Sequence, residues 1–134
     1  MTINLLEVDL SQGRLKGQAH LEFEEPVKVE EVRLEAKTYE KYNFSKMEKG
    51  KLKTGTGSVI FFEKIFPLSG SFEASAGYYG DYPFEIIIPL YYSKHHGSIH
   101  RMITAVANVK GRPDVVSDEM FPFYDTRIAQ KKAL

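Results

Sequence analysis

The sequence predicts an all-β protein, an immunoglobulin-like β-sandwich of seven to eight mostly antiparallel strands. Three observations predict it. Side chains alternate with a period of two over much of the chain: Leu15, Gly17, Ala19, Leu21 and Phe23 face one way, and Lys16, Gln18, His20, Glu22 and Glu24 the other. Runs of strand length are separated by frequent turn residues. The run Tyr82–Pro89 is fenced by Pro83 and Pro89, and proline belongs at strand starts, edges and ends because it lacks a ladder donor.

The elements follow in order. Ile3–Leu10 is a first strand, closed by the turn Ser11-Gln12-Gly13. Leu15–Glu24 is a second, with one wet face, and Glu25-Pro26 breaks it. Val27–Tyr39 is a third. Its apolar phase shifts at Glu30-Glu31, so a β-bulge is expected there. Helix competes for 27–42, but apolar residues at 27, 29, 32, 34 and 36 make no helical stripe. Asn43–Gly57 is polar, rich in lysine and glycine, and is expected to be a loop. Val59–Phe66 reads as a strand, Pro67-Leu68-Ser69-Gly70 as a turn, Ser71–Ala76 as a short strand, and Gly77–Gly80 as another turn. In Tyr82–Pro89, Phe84, Ile86 and Ile88 should face inward. Tyr91–Gly97 is a connection, and Ile99–Val109 is a long strand whose Ala105 and Ala107 suit a crowded interior. After the turn Lys110–Pro113, Val115–Tyr124 is a final strand, marked as an edge by Pro122. Residues 1–125 are thus expected to form one sandwich, and 126–134 a charged tail.

Composition limits the function classes. A chain of 134 residues suits one domain. Eighteen basic side chains balance eighteen acidic ones, so the electrostatic footprint of a nucleic-acid binder is missing and no nucleic-acid partner is expected. There is no cysteine, hence no disulfide framework and no thiolate nucleophile. Met1–Glu7 lacks the basic start of a signal peptide, and no apolar run approaches the ~18 residues of a membrane span. A cytoplasmic location is expected.

Candidate chemistry is sparse. His95, His96 and His100 cluster, but their spacing is no established zinc pattern and no carboxylate stands beside them. Ser93, Ser98 and Ser117 lack a nucleophile elbow. Asp114, Asp118, Glu119 and Asp125 lack the spacing of a calcium loop. Gly55-Thr56-Gly57-Ser58 lacks the phosphate-loop lysine. Lys46, Lys49, Lys51 and Lys53 suggest either an anion site or a solvated loop, and the solvated loop is the simpler reading. No catalytic, cofactor or metal residue is assigned. Tyr78, Tyr79, Tyr82, Tyr91 and Tyr92 are candidate protein-binding residues, because tyrosine offers contact area at low entropic cost. Packing at the ends of the sandwich would use the same rings.

Several segments, in order, resemble the N-terminal half of the arrestin-like superfamily, which includes the sporulation-control arrestin-like proteins. They are Gly13-Arg14-Leu15-Lys16-Gly17, Val29-Glu30-Glu31-Val32-Arg33-Leu34-Glu35-Ala36, Tyr82–Pro89 and His100-Arg101-Met102-Ile103-Thr104-Ala105. The resemblance spans roughly residues 3–125 and implies an arrestin-like sandwich used as a non-enzymatic binding scaffold. Arrestins pair two such sandwiches, so no phosphate-sensing residues and no receptor binding carry over to a single one. The expected partner is another protein. The opening strand, apolar and free of proline and lysine, either pairs internally or offers its edge to a second copy, giving a homodimer. The alternative function is a small-ligand or metal-binding sandwich, enzymatic or not, that uses the 91–100 loop.

Overall fold

The computed structural model describes residues 1–122; residues 123–125 of the expected domain and the tail 126–134 lie outside the described residues. Among the described residues eight strands run in order: β1 (Thr2–Ser11), β2 (Arg14–Phe23), β3 (Val27–Glu48), β4 (Lys51–Ser69), β5 (Phe72–Ala74), β6 (Tyr78–Ile87), β7 (Ser98–Val109) and β8 (Val115–Val116). No helix occurs among the described residues. One sheet has the order β1-β2-β6, and the other β4-β3-β7-β8 with β5 also against β3. Every strand pairing is antiparallel.

The expected alternation builds the core. Leu15, Ala19, Leu21 and Phe23 of β2 are buried, as are Phe84, Ile86 and Ile88 in and just after β6. Val29, Val32, Leu34 and Ala36 of β3 and Ile103, Ala105 and Ala107 of β7 join the same cluster. Full burial of each larger aliphatic or phenyl side chain stabilises by roughly 1.5–3 kcal/mol. The bulge in β3 falls where the phase shift put it, since Val29 faces Val109 and Glu31 faces Asn108, leaving Glu30 as the extra residue. A second bulge lies in β1, where Glu7 and Val8 stand opposite Gly17. Glu7 takes a left-handed φ of 54° there. A Cβ on Gly17 would sit 2.8 Å from the Phe84 ring and 3.3 Å from the Leu6 carbonyl oxygen, so glycine is required for the approach.

Four expectations are corrected. Asn43–Gly57 is not a loop. It forms both arms of the β3–β4 hairpin, in register from Asn43 opposite Thr56 to Glu48 opposite Lys51. Lys49 and Gly50, with φ of 51° and 75°, make the two-residue turn, as Gln12 and Gly13 do between β1 and β2. The polar composition has a physical cause: β7 leaves β3 at Lys41, opposite Ser98, and beyond that point the hairpin pairs only with itself. Neither face meets the core, so no apolar alternation is needed.

The fenced strand starts earlier and runs longer than its prolines suggest. β6 begins at Tyr78, Gly80 pairs with Leu21, and Pro83 sits mid-strand opposite Gln18. Proline is tolerated because, among the described strands, β6 pairs on one side only. Likewise Pro67, expected in a turn, lies within β4 opposite Arg33. Residues 123–124 of the final strand expected over Val115–Tyr124 lie outside the described residues, and the described part forms Val115–Val116 and a bridge between Met120 and Ile103. Between them the Ser117 hydroxyl accepts from the Ala105 amide at 2.9 Å and holds the segment against β7.

The projecting arms are stiffened by rings laid over glycines. Tyr42 faces Gly57 and Phe44 faces Gly55 across the hairpin. A Cβ on Gly57 would lie 2.5 Å from the Tyr42 ring, and one on Gly55 2.8 Å from Phe44. Alanine in place of strand glycine ordinarily gains up to ~1 kcal/mol. Here Gly57→Ala is expected to destabilise by about 1 kcal/mol or more, because the ring must leave its seat. In a Tyr42→Ala background the same change should be neutral or stabilising, as measured by urea unfolding.

Candidate functional site

The connection from β6 to β7 is organised by one carboxylate. Thr38 and Glu40 continue the inward face of β3 past its last apolar position, and Glu40 is fully buried. Its oxygens accept from the Ser93 hydroxyl and from the amides of Lys94 at 2.9 Å, His95 at 3.1 Å and Gly97 at 2.7 Å. The chain curls round the carboxylate, with Gly97 pressed against β3: a Cβ there would lie 2.1 Å from the Lys41 carbonyl oxygen. Burial alone would raise the Glu40 pKa, but the hydrogen bonds from Ser93, Lys94, Gly97 and His95 outweigh it and hold the group at about 2.

This clamp shapes a groove of about 880 Å³ at the notch where β7 leaves β3, bordered by Lys41, Tyr42, Ser58, His95, His96 and His100. His95 stacks on Tyr42 with centroids 4.3 Å apart, and His100 stacks on Tyr39 at 5.2 Å. Two of the three imidazoles are therefore committed to aromatic neighbours. Among the described residues no three His, Cys, Asp or Glu side chains assemble into a group able to hold a metal. The cluster of Asp114, Asp118 and Glu119 is also divided, since Asp114 accepts from Asn108 at 2.6 Å and faces Arg33 at 3.8 Å; Asp125 lies outside the described residues. Ser93 donates to Glu40 and Ser117 is bonded to the β7 backbone, which gives both structural tasks.

The five candidate tyrosines do not form one patch. Tyr78 and Tyr82 share a hydroxyl–hydroxyl bond of 2.7 Å and pack with Phe72, and Tyr78 also stacks on Phe23. Burial and the bond to Tyr78 push the Tyr82 phenol above its usual range. Tyr91 stacks on Phe61 with centroids 5.5 Å apart. Only Tyr79 and Tyr92 present most of their surface, 69% and 77%, and Tyr79 lies beside His20. That imidazole is 2.6 Å from Asp81 and 3.1 Å from Glu22, and both bonds raise its pKa.

A surface that the residue pattern did not reveal is the outer side of β4. This strand of 19 residues pairs with β3 alone, so its second edge is unpaired among the described strands. Ile60 and Ile65 are exposed next to that edge. Beside them a groove of about 640 Å³ crosses the outer face of the larger sheet, lined by Arg33, Glu35, Lys37, Ile65, Met102 and Val116. Arg33 is fixed there by Glu31 at 3.3 Å, Glu35 at 3.4 Å and the Asn108 carbonyl. The edge of β1 is likewise unpaired among the described strands; it bulges at Glu7, as β4 does at Phe61 and Leu68.

The pH dependence of the clamp follows in sign. Unfolded, Glu40 should titrate near ~4.3; folded, it is held at about 2. A depressed folded pKa contributes stability that is present above the unfolded value and is lost as pH falls toward the folded one. Thermal melts from pH 6 down to pH 2 (a window of roughly 4 units spanning both values) should show the wild type losing more melting temperature than Glu40→Gln. The variant should already melt lower at neutral pH. Parallel acid limbs would show that Glu40 does not carry this effect.

No protein-family model matches the chain, and no curated protein matches it. Among solved structures, the crystal structure of Spo0M, a sporulation control protein from Bacillus subtilis, is similar with a TM-score of 0.62 at 16% identity. The match covers 92% of this chain and 49% of that one, so the chain spans about half the length of the Spo0M chain. An identity this low speaks for fold alone. Two antiparallel sheets with this neighbour give the chain an arrestin-like β-sandwich fold.

Proposed function

We propose that this domain is a non-enzymatic protein-binding scaffold or adaptor, working in the cytoplasm, that receives an extended segment of another protein along the open edge of β4. The observation that carries this reading is the length of that edge together with the exposed Ile60 and Ile65 beside it. An unpaired strand offers a row of amides and carbonyls to a partner strand, and alternate side chains then set specificity. Natural edges are commonly blunted by proline, bulges or lysine. In β4 the proline, Pro67, lies near one end, Val59–Phe66 holds a single lysine, Lys64, and extra residues against β3 fall at Phe61 and Leu68. The arrestin-like fold supports a scaffold role of this kind.

A second reading rests on the groove at the β6–β7 connection, where Tyr42 and three imidazoles border one space. It suits a small aromatic or anionic ligand. Shifts of the His95 ring resonances on titration with small aromatic or anionic compounds would reveal such use.

Affinity capture from the native host tests the first reading. Ile60→Lys with Ile65→Lys alters exposed positions, so stability should change by less than about 0.5 kcal/mol per site. The double variant is expected to lose the proteins that the wild type retains. Equal recovery of the same proteins would remove β4 as the binding edge.

A further inference from the structure

The tip of the β3–β4 hairpin has a character that neither the β4 edge nor the histidine groove uses. Beyond Lys41 the arms leave the sandwich and run to the turn at Lys49-Gly50. At about 3.3 Å per residue they project roughly 20 Å. Residues 43–56 hold Lys46, Lys49, Lys51 and Lys53 against a single acid, Glu48, an excess of three positive charges in a chain that is neutral overall. All four lysines are exposed.

Two placements within the tip cost stability and gain nothing inside the domain. Met47 and Leu52 are cross-strand partners on one face, and they are 67% and 65% exposed. Lys46 and Lys53 stand directly opposite one another on the other face. Like charges in that relation are unfavourable, and Glu48, 3.2 Å from Lys53 and 3.9 Å from Lys46, offsets them only in part. The tip therefore presents an apolar pair, Met47 and Leu52, on one face, with Lys46, Lys51 and Lys53 on the other and Lys49 at the turn.

We propose that this tip docks the domain on a membrane surface rich in anionic lipid. Met47 and Leu52 would enter the headgroup boundary, and the lysines would lie among lipid phosphates and carboxylates. An exposed apolar pair at a projecting tip suits a deformable interface, which needs no shaped receptor, and the four lysines of the same tip supply the attraction to anionic headgroups. A protein receptor would instead have to offer a matching cavity, and nothing in this mode requires one. The docking is peripheral and independent of the β4 edge.

Flotation of the full chain with vesicles tests this. Binding is expected on phosphatidylcholine vesicles that contain phosphatidylserine, and not on phosphatidylcholine alone. Lys46→Gln with Lys53→Gln should weaken it roughly thirtyfold, about fivefold per lysine near the surface. Met47→Ser with Leu52→Ser should weaken it about tenfold or more. Circular dichroism and melting of both variants keep the comparison among folded proteins. Three results would overturn the proposal: no flotation with anionic vesicles, equal flotation with neutral ones, or full anionic binding by the Met47/Leu52 variant. In the last case, equal retention of both proteins on heparin would mark the tip as a site for an acidic macromolecule.

Discussion

A strand of 22 residues must find something to cover along its whole inward face, and this requirement on β3 organises the rest of the molecule. Over its first half the inward side chains are Val29, Val32, Leu34 and Ala36, and the smaller sheet covers them. At Thr38 and Glu40 that cover ends and the face turns polar while still buried. A buried carboxylate is costly unless hydrogen-bonded. The β6–β7 connection supplies those bonds by wrapping three amides and a hydroxyl around it. Beyond Glu40 there is no covering sheet, and β3 covers itself: Tyr42 and Phe44 lie across glycines of its own hairpin partner.

These three regimes differ in how far the sequence shows them. Where β3 faces a sheet, alternation is enforced by burial, and even the bulge at Glu30 is visible as a phase slip. The same holds for β2 and β7. In the projecting arms neither face is buried by the sandwich, so the period-of-two signal has no physical source and composition alone suggests a loop. The available clue is reciprocal: two rings at 42 and 44, two glycines at 57 and 55, and Lys49-Gly50 between them. Pro83 misleads in the opposite direction, because an edge position accommodates proline within a strand as well as at its start.

The sites are less legible than the fold because they depend on long-range neighbours. Nothing near Glu40 in the sequence shows that residues 93–97 return to it. The strand read from the sequence ends at Tyr39, so Glu40 has no place in it. The tyrosines illustrate the same limit: five rings close in sequence are divided by strand alternation and by the β6–β7 connection into buried, stacked and exposed members. The edge of β4 and the hairpin tip emerge only from topology, since an edge is defined by which strand is missing beside it.

In this fold β3 remains an ordered strand after it leaves the sandwich, and its rings over Gly55 and Gly57 hold the arms together. Amide hydrogen exchange resolved by residue tests this most directly. The cross-strand amides between Tyr42 and Gly57 should exchange well below random-coil rates. Protection should be weaker than in β2 and should diminish from the sandwich toward Lys49-Gly50. Exchange at random-coil rates throughout residues 43–56, with protection ending at Lys41, would contradict it and return the segment to the loop its composition suggests.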